Sequence, residues 1–209
     1  MIERWLLLVL LAGCQPGAPP LPSVVSSVEA GEFDAAPVLC QQYKRAMIRN
    51  ARVVWGLDAP VAVFGAQVYQ ESACNPDARS PVGATGLAQF MPSTADWIDD
   101  VYPDLGQAQP ANPDWALRAL VRYDKHLYDQ VVYDGECDRM GAALSSYNGG
   151  LGWHDKRQRI AEDPLDFWNS VRVVNPGITP ANQRENEQYP VRIFNRQPQY
   201  VTWGRSVTC

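Results

Sequence analysis

The chain has 209 residues, 46% of them hydrophobic and 20% charged, with 18 Lys and Arg against 23 Asp and Glu for a formal net charge of −5. A mildly acidic balance, with its excess of acids before residue 150, argues against a nucleic-acid partner, which would require clustered cations to neutralise phosphates. About 170 residues beyond the N-terminal region are one domain's worth of chain and can bury a real core.

In chain order, MIERWLLLVLLAGC opens the sequence, with an apolar run from Trp5 to Ala12. That run is too short to span a bilayer, which takes roughly 20 apolar residues. Residues 1–13 have the shape of an export signal, and Leu11-Ala12-Gly13-Cys14 resembles a bacterial lipobox, with cleavage before Cys14 and lipid on its thiol. An uncleaved N-terminal anchor is the alternative. Residues 14–37 turn to Pro, Ala, Ser, Val and Gly and read as a flexible tether, whose typical span is on the order of 25 Å. Gln15 after Cys14 favours an outer-membrane anchor facing the periplasm over retention at the inner membrane.

Residues 38–209 form the predicted domain. Helices are expected over Cys40–Val54, Pro60–Glu71, Ser93–Val101, Asp114–Tyr133, Asp138–Tyr147 and Thr179 to about Arg196. Asp58 is placed to cap the second, and Pro60 suits its first turn. Along it, Ala62, Ala66 and Tyr69 alternate in face with Val63, Gln67 and Gln70. In the fourth, Ala116, Leu120, Tyr123, Leu127 and Val131 recur on one face. No alternating strand, repeat or coiled coil is visible, so the fold class is mainly α.

Glu71 stands at the C-terminal end of its apolar helix, before a turn rich in Gly, Pro and Gln. There the helix dipole disfavours a carboxylate, and burial under the following loop acts in the same direction. An acid kept protonated near neutral pH can donate to a leaving oxygen. A lone Glu in such a place is ordinarily a solvated surface residue. Gln89 offers an amide to acetamido or hydroxyl groups, and Tyr147 and Asn148 close a second apolar helix. Asp77 reads as a turn residue and Asp96 as a helix-start residue after Ser93, so the block around Glu71 offers no obvious second carboxylate.

The run Glu71-Ser72, Ser80, Gly83-Ala84, Gly86-Leu87-Ala88-Gln89-Phe90-Met91-Pro92, Thr94-Ala95 resembles the signature of the soluble lytic transglycosylase, or goose-type lysozyme-like, family. Ser146-Tyr147-Asn148-Gly149-Gly150 matches a second block of that family, and Glu185-Asn186-Glu187-Gln188-Tyr189 approaches a third. The sequence departs from the family at Ala88, where a Met is common and whose apolar contact Phe90 or Met91 would replace. It departs again at Asn186, in place of Thr, and at Pro190, which should bend its helix. The resemblance implies a lysozyme-like helical domain around a cleft. It also implies cleavage of peptidoglycan between N-acetylmuramic acid and N-acetylglucosamine, with formation of a 1,6-anhydro ring. Glu71 would be the single acid and base, Ser80, Gln89, Met91, Tyr147 and Asn148 would bind substrate, and Tyr189 would hydrogen-bond Glu71. Two alternatives share the chain: a muramidase using water at the same site, and a peptidoglycan-binding lipoprotein that cuts nothing.

The five cysteines fit export. With Cys14 assigned to lipid, Cys40, Cys74, Cys137 and Cys209 can form two bridges by any of three pairings. Neither His126 nor His154 lies in a ligand pattern, and no metal or organic cofactor is implied. Trp153, in the run Gly150-Leu151-Gly152-Trp153 read as a loop beside the second block, is the tryptophan best placed to meet a sugar face. Arg184, Arg192 and Arg196 could meet peptide-stem carboxylates or simply line a solvated face.

Overall fold

In the computed structural model the described residues are 35–209, so the signal segment, Cys14 and most of the tether lie outside them. The elements are α1 (Val38–Gln41), α2 (Lys44–Trp55), α3 (Val61–Ser72), α4 (Pro92–Val101), α5 (Pro113–Gln130), α6 (Glu136–Gly149), α7 (Leu151–Ile160) and α8 (Pro180–Arg196). Short 3₁₀ turns follow α4 and α8, and a π turn spans Phe167–Val171. Among the described residues there is no strand; Thr85 alone makes isolated antiparallel bridges, to Arg79 and Phe90. The mainly α expectation therefore holds.

α3 is the axle. Every residue from Val61 to Val68 is buried, and a helix that is apolar all round belongs at the centre of a domain, so the two faces expected from its sequence are both covered. α2 lays Met47, Asn50 and Ala51 against the core, α5 contributes Leu117, Leu120, Val121 and Leu127, and α8 contributes Tyr189 and Ile193. A smaller cluster gathers Leu127, Val131, Tyr133, Ala142, Ala143, Phe167 and Val171 beneath α6.

The ends of the helices correct several expectations. Asp58 does not cap α3: Pro60 occupies the N-cap position, and Asp58 pairs on the surface with Arg205 at 3.2 Å. α4 begins at Pro92, so neither Ser93 nor Asp96 starts it. α5 is capped by Asn112, whose side-chain oxygen accepts from the Asp114 N–H at 2.9 Å with Pro113 in the first turn. It stops at Gln130, where Val131 turns extended and dives into the smaller core cluster, leaving Tyr133 beyond the helix. α7 was not anticipated, because LGWHDKRQRI lacks apolar periodicity; it is held from beneath by the fully buried His154 and Arg157. α8 runs on through Pro190, although the proline removes one internal N–H donor.

The cysteines choose one of the three pairings: Cys40 with Cys74, and Cys137 with Cys209. The first bond sits where α3 ends, at consecutive left-handed residues Ala73 (φ 50°) and Cys74 (φ 64°). That conformation costs a non-glycine residue roughly 1–2 kcal/mol, which neighbouring structure must offset.

Candidate active site

The end of α3, the loop from residue 78 to 91, the end of α6 and the middle of α8 converge on a cleft of about 550 Å³. Glu71, Ser80, Gln89, Met91, Tyr147, Asn148 and Tyr189 all line it, so the structure brings together in one place residues more than a hundred positions apart in sequence.

Glu71 is half-buried on the last turn of α3. Burial pushes its carboxyl up to about 8; the Tyr189 hydroxyl opposes this, and the like charge of Glu185 adds to it. Tyr189, itself only 2% exposed, donates its hydroxyl proton to Glu71 Oε1. Burial and the Glu71 charge hold the Tyr189 phenol well above its ordinary value, so it remains a donor. Behind it, Tyr147 lies parallel at a ring distance of 6.5 Å and donates to the Ala88 carbonyl at 2.7 Å.

The loop is fastened to α3 by Ser72 Oγ, which donates to the carbonyls of Val68 (3.1 Å) and Leu87 (2.9 Å). Gly86 must be glycine: its φ is +78°, and a Cβ there would collide with the Pro110 carbonyl. Ser80 Oγ accepts from the Ala84 N–H at 2.9 Å. Gln89 differs from expectation. Its Nε2 is spent on the carbonyls of Ala78 (3.1 Å) and Gly86 (2.9 Å), which leaves only its amide oxygen for a ligand, as an acceptor. Phe90 is 2% exposed and packs edge-on to Trp115 and Tyr123, forming the wall, while Met91 (38% exposed) reaches the open surface where the Ala88 methyl does not.

Asn186 bridges α8 to α6. Its Nδ2 donates to the Ser145 carbonyl (2.8 Å) and to Asn148 Oδ1 (3.0 Å), and its Oδ1 accepts from Ser145 Oγ (2.9 Å). The expected Trp153 is 41% exposed in the first turn of α7 rather than in a loop, with Lys156 Nζ over its ring at 5.0 Å. It shares an adjoining cavity of about 290 Å³ with Asn148 and Glu185. Of the three arginines, Arg192 pairs with Glu185 at 2.9 Å, Arg196 covers the Tyr69 ring at 4.0 Å, and Arg184 is exposed.

Sequence reasoning missed two groups here. Glu185 lines the cleft as a second carboxylate. Asp124, on α5 and wholly buried, accepts from Gln67 Nε2 at 3.2 Å, one turn before Glu71 on α3. Its Oδ2 and the Gln67 Oε1 are both buried acceptors without a partner. A proton on Asp124 turns one of these acceptors into a donor, and burial, with Glu71 adding to it, pushes that carboxyl well above its ordinary range. The signal was available: Asp124 sits among Leu120, Tyr123 and Leu127 on the apolar face of α5. Among the described residues no group of three or more His, Cys, Asp or Glu could hold a metal ion.

Comparison with known proteins places the chain in a family and a fold. Residues 49–167 match the model of the transglycosylase SLT domain. The membrane-bound lytic murein transglycosylase F 2 of Alkalilimnicola ehrlichii is 31% identical over 136 residues, covering 63% of this chain and 29% of the relative. The membrane-bound lytic murein transglycosylase F of Shewanella frigidimarina is 30% identical over 143 residues, covering 66% and 28%. The chain thus spans less than a third of the length of these relatives. Two solved structures share the fold at 23% identity. They are the 70 kDa soluble lytic transglycosylase of Escherichia coli (TM-score 0.57; 78% of this chain, 25% of that one) and an inactive Glu-to-Gln mutant of lytic transglycosylase Slt from Pseudomonas aeruginosa (TM-score 0.61; 79% and 25%). With the family model covering more than half of its residues, the chain belongs to the transglycosylase SLT domain family.

Proposed function

We propose that this protein cleaves the glycan strand of peptidoglycan at the N-acetylmuramyl–N-acetylglucosamine bond and leaves 1,6-anhydromuramyl ends, with Glu71 as the single acid and base. The observation that carries this is a carboxyl raised to about 8, open to a cleft and hydrogen-bonded on one oxygen by Tyr189. Protonated at neutral pH, Glu71 gives its proton to the glycosidic oxygen as the bond to C1 breaks. The resulting carboxylate takes the proton of the muramyl C6 hydroxyl as that oxygen closes on C1. Glu71 ends protonated, as it began, and no water is consumed. Tyr189 steadies the carboxylate stage with a charge-assisted bond. The Gln89 amide oxygen and Ser80 meet polar groups of the sugars, and Met91 and Trp153 offer them apolar faces.

Residues 38–209 are the catalytic domain in this proposal, preceded by a signal over 1–13 and a tether over 14–37 lipidated at Cys14. The protein would work in the periplasm from the outer membrane. Support comes from the relatives whose names call them membrane-bound.

Glu185 in the cleft favours one competitor, since a muramidase can use a second carboxylate to activate water. Mass spectrometry of products from purified peptidoglycan decides. Anhydromuramyl ends that vanish in Glu71→Gln and persist in Glu185→Gln are the expected result. Reducing ends that vanish in either variant would establish the hydrolase, and wild-type-like cleavage by Glu71→Gln would sink both.

A further inference from the structure

On the side of the domain formed by α2, α5 and the 3₁₀ turn Pro103–Leu105 lies a cavity of about 260 Å³ that shares no lining residue with the glycan cleft. Val53, Val54, Leu105 and Val121 supply an aliphatic lining, and Arg49, Arg118 and Arg122 supply guanidinium groups. Their counter-charges are incomplete. Arg122 is closed by Asp104, but Arg49 and Arg118 divide a single carboxylate, Asp114, at 3.7 and 3.6 Å. Both separations exceed a charge-assisted hydrogen bond; Arg118 donates Nη2 to the Leu105 carbonyl at 3.0 Å while its Nε has no partner, the Arg49 donors remain available, and three cations face two anions. Asn50 adds an independent sign: it lines the same cavity, it is only 7% exposed, and its buried amide nitrogen has no hydrogen-bond partner. A buried donor left unpaired is costly, and an acceptor brought by a ligand would satisfy it.

We propose that this cavity binds the terminal carboxylate of a short aliphatic peptide, the chemistry that the peptide stems of peptidoglycan present, and so gives the protein a second hold on the wall; the identity of that ligand rests on the function proposed above. The guanidinium fork matches a planar carboxylate. One unmatched positive charge suits a monoanion, and the aliphatic lining suits methyl side chains better than a bare ion.

The test is calorimetric titration of the full chain with N-acetyl-D-alanyl-D-alanine, its C-terminal amide, and inorganic phosphate. The acid should bind about tenfold or more tightly than the amide or phosphate, because only it brings both the planar charge and the methyl groups. Arg49→Gln, on an exposed helix face, and Asn50→Leu should each weaken the acid by about tenfold, while Glu71→Gln binds it unchanged. Equal binding of acid and amide, phosphate bound as tightly as the acid, or an unaffected Arg49→Gln would overturn the proposal. Binding without peptidoglycan cleavage would instead overturn the catalytic function and leave the site standing. Cleavage without binding would do the reverse.

Discussion

Replacing Tyr189 with Phe removes one atom from the site and tests its electrostatics directly. The hydroxyl donates to Glu71 Oε1 and is the one contribution that lowers a carboxyl otherwise pushed up to about 8. A hydrogen bond to a charged group is worth roughly 1.5–3 kcal/mol, and one pKa unit corresponds to about 1.36 kcal/mol. The bond favours the carboxylate, so its loss should raise the Glu71 midpoint by about one to two units. The assay is ¹³C NMR titration of labelled glutamate carboxyls, with Glu71→Gln assigning the resonance and the pH profile of product release run in parallel. Glu71 in Tyr189→Phe should stay protonated at pH 7 but be a weaker acid toward the glycosidic oxygen, since the carboxylate it leaves is less stabilised, with cleavage slowed by about a hundredfold, the usual scale for one proton-transfer step. An unchanged or lower midpoint would show that the tyrosine does not stabilise the carboxylate, and the argument from this hydrogen bond would fail.

Asp124→Asn should be nearly silent, within about 1 kcal/mol in urea unfolding and without moving the Glu71 midpoint, because an amide replaces an acid that is already neutral. Asp124→Ala, by leaving Gln67 unpaired beside a void, should cost about 2–4 kcal/mol. His154 is buried neutral, its imidazole lowered to about 4 by burial and by Arg157. Between its ordinary 6.5 and that value the unfolded chain binds a proton that the folded chain refuses, so the contribution of His154 to stability falls as pH falls. The His154 contribution should shrink by about 2–3 kcal/mol from pH 7 to pH 4.5, read as the difference in unfolding free energy between the wild type and His154→Phe, because the raised Glu71 and Asp124 carboxyls act with the opposite sign over that range in both proteins. Replacing Cys137 and Cys209 together by Ser opens a loop of 72 residues. Chain entropy puts the loss at about 4 kcal/mol, read in urea at constant pH, with the cleft and its activity at room temperature retained.

The parts of the fold legible in the sequence are those where burial imposes a period. α5 and α3 were visible from their apolar residues, and the mainly α class followed. α7 was invisible for the opposite reason: its two buried anchors are His154 and Arg157, which a hydrophobic pattern reads as solvent-facing. Residues 71–91 carry much of the cleft in one short stretch, which made that part of the site readable. The orientation of Gln89 was not readable, because a left-handed backbone (φ 48°) turns its amide nitrogen onto the carbonyls of its own loop. The upward displacement of the Glu71 carboxyl is expected from the helix end and from burial; burial is the largest cause, and the other upward push comes from the Glu185 charge. Asp124 is legible as an acid on the apolar face of α5, but that it faces Gln67, and that Glu185 faces the cleft, depends on how the helices pack, which spacing along one helix does not report.

The Cys40–Cys74 bond also decides how the domain answers to force. Whatever pulls on the chain ahead of residue 35 reaches Cys40 after a few residues of α1, and the covalent bond hands the load straight to Cys74. The 33 residues enclosed by that bond, all of α2 and all of α3 with Glu71 among them, are out of the path of extension. If the proposed tether and the proposed glycan substrate hold the domain from opposite sides, it can therefore be stretched without unwinding the helix that carries Glu71.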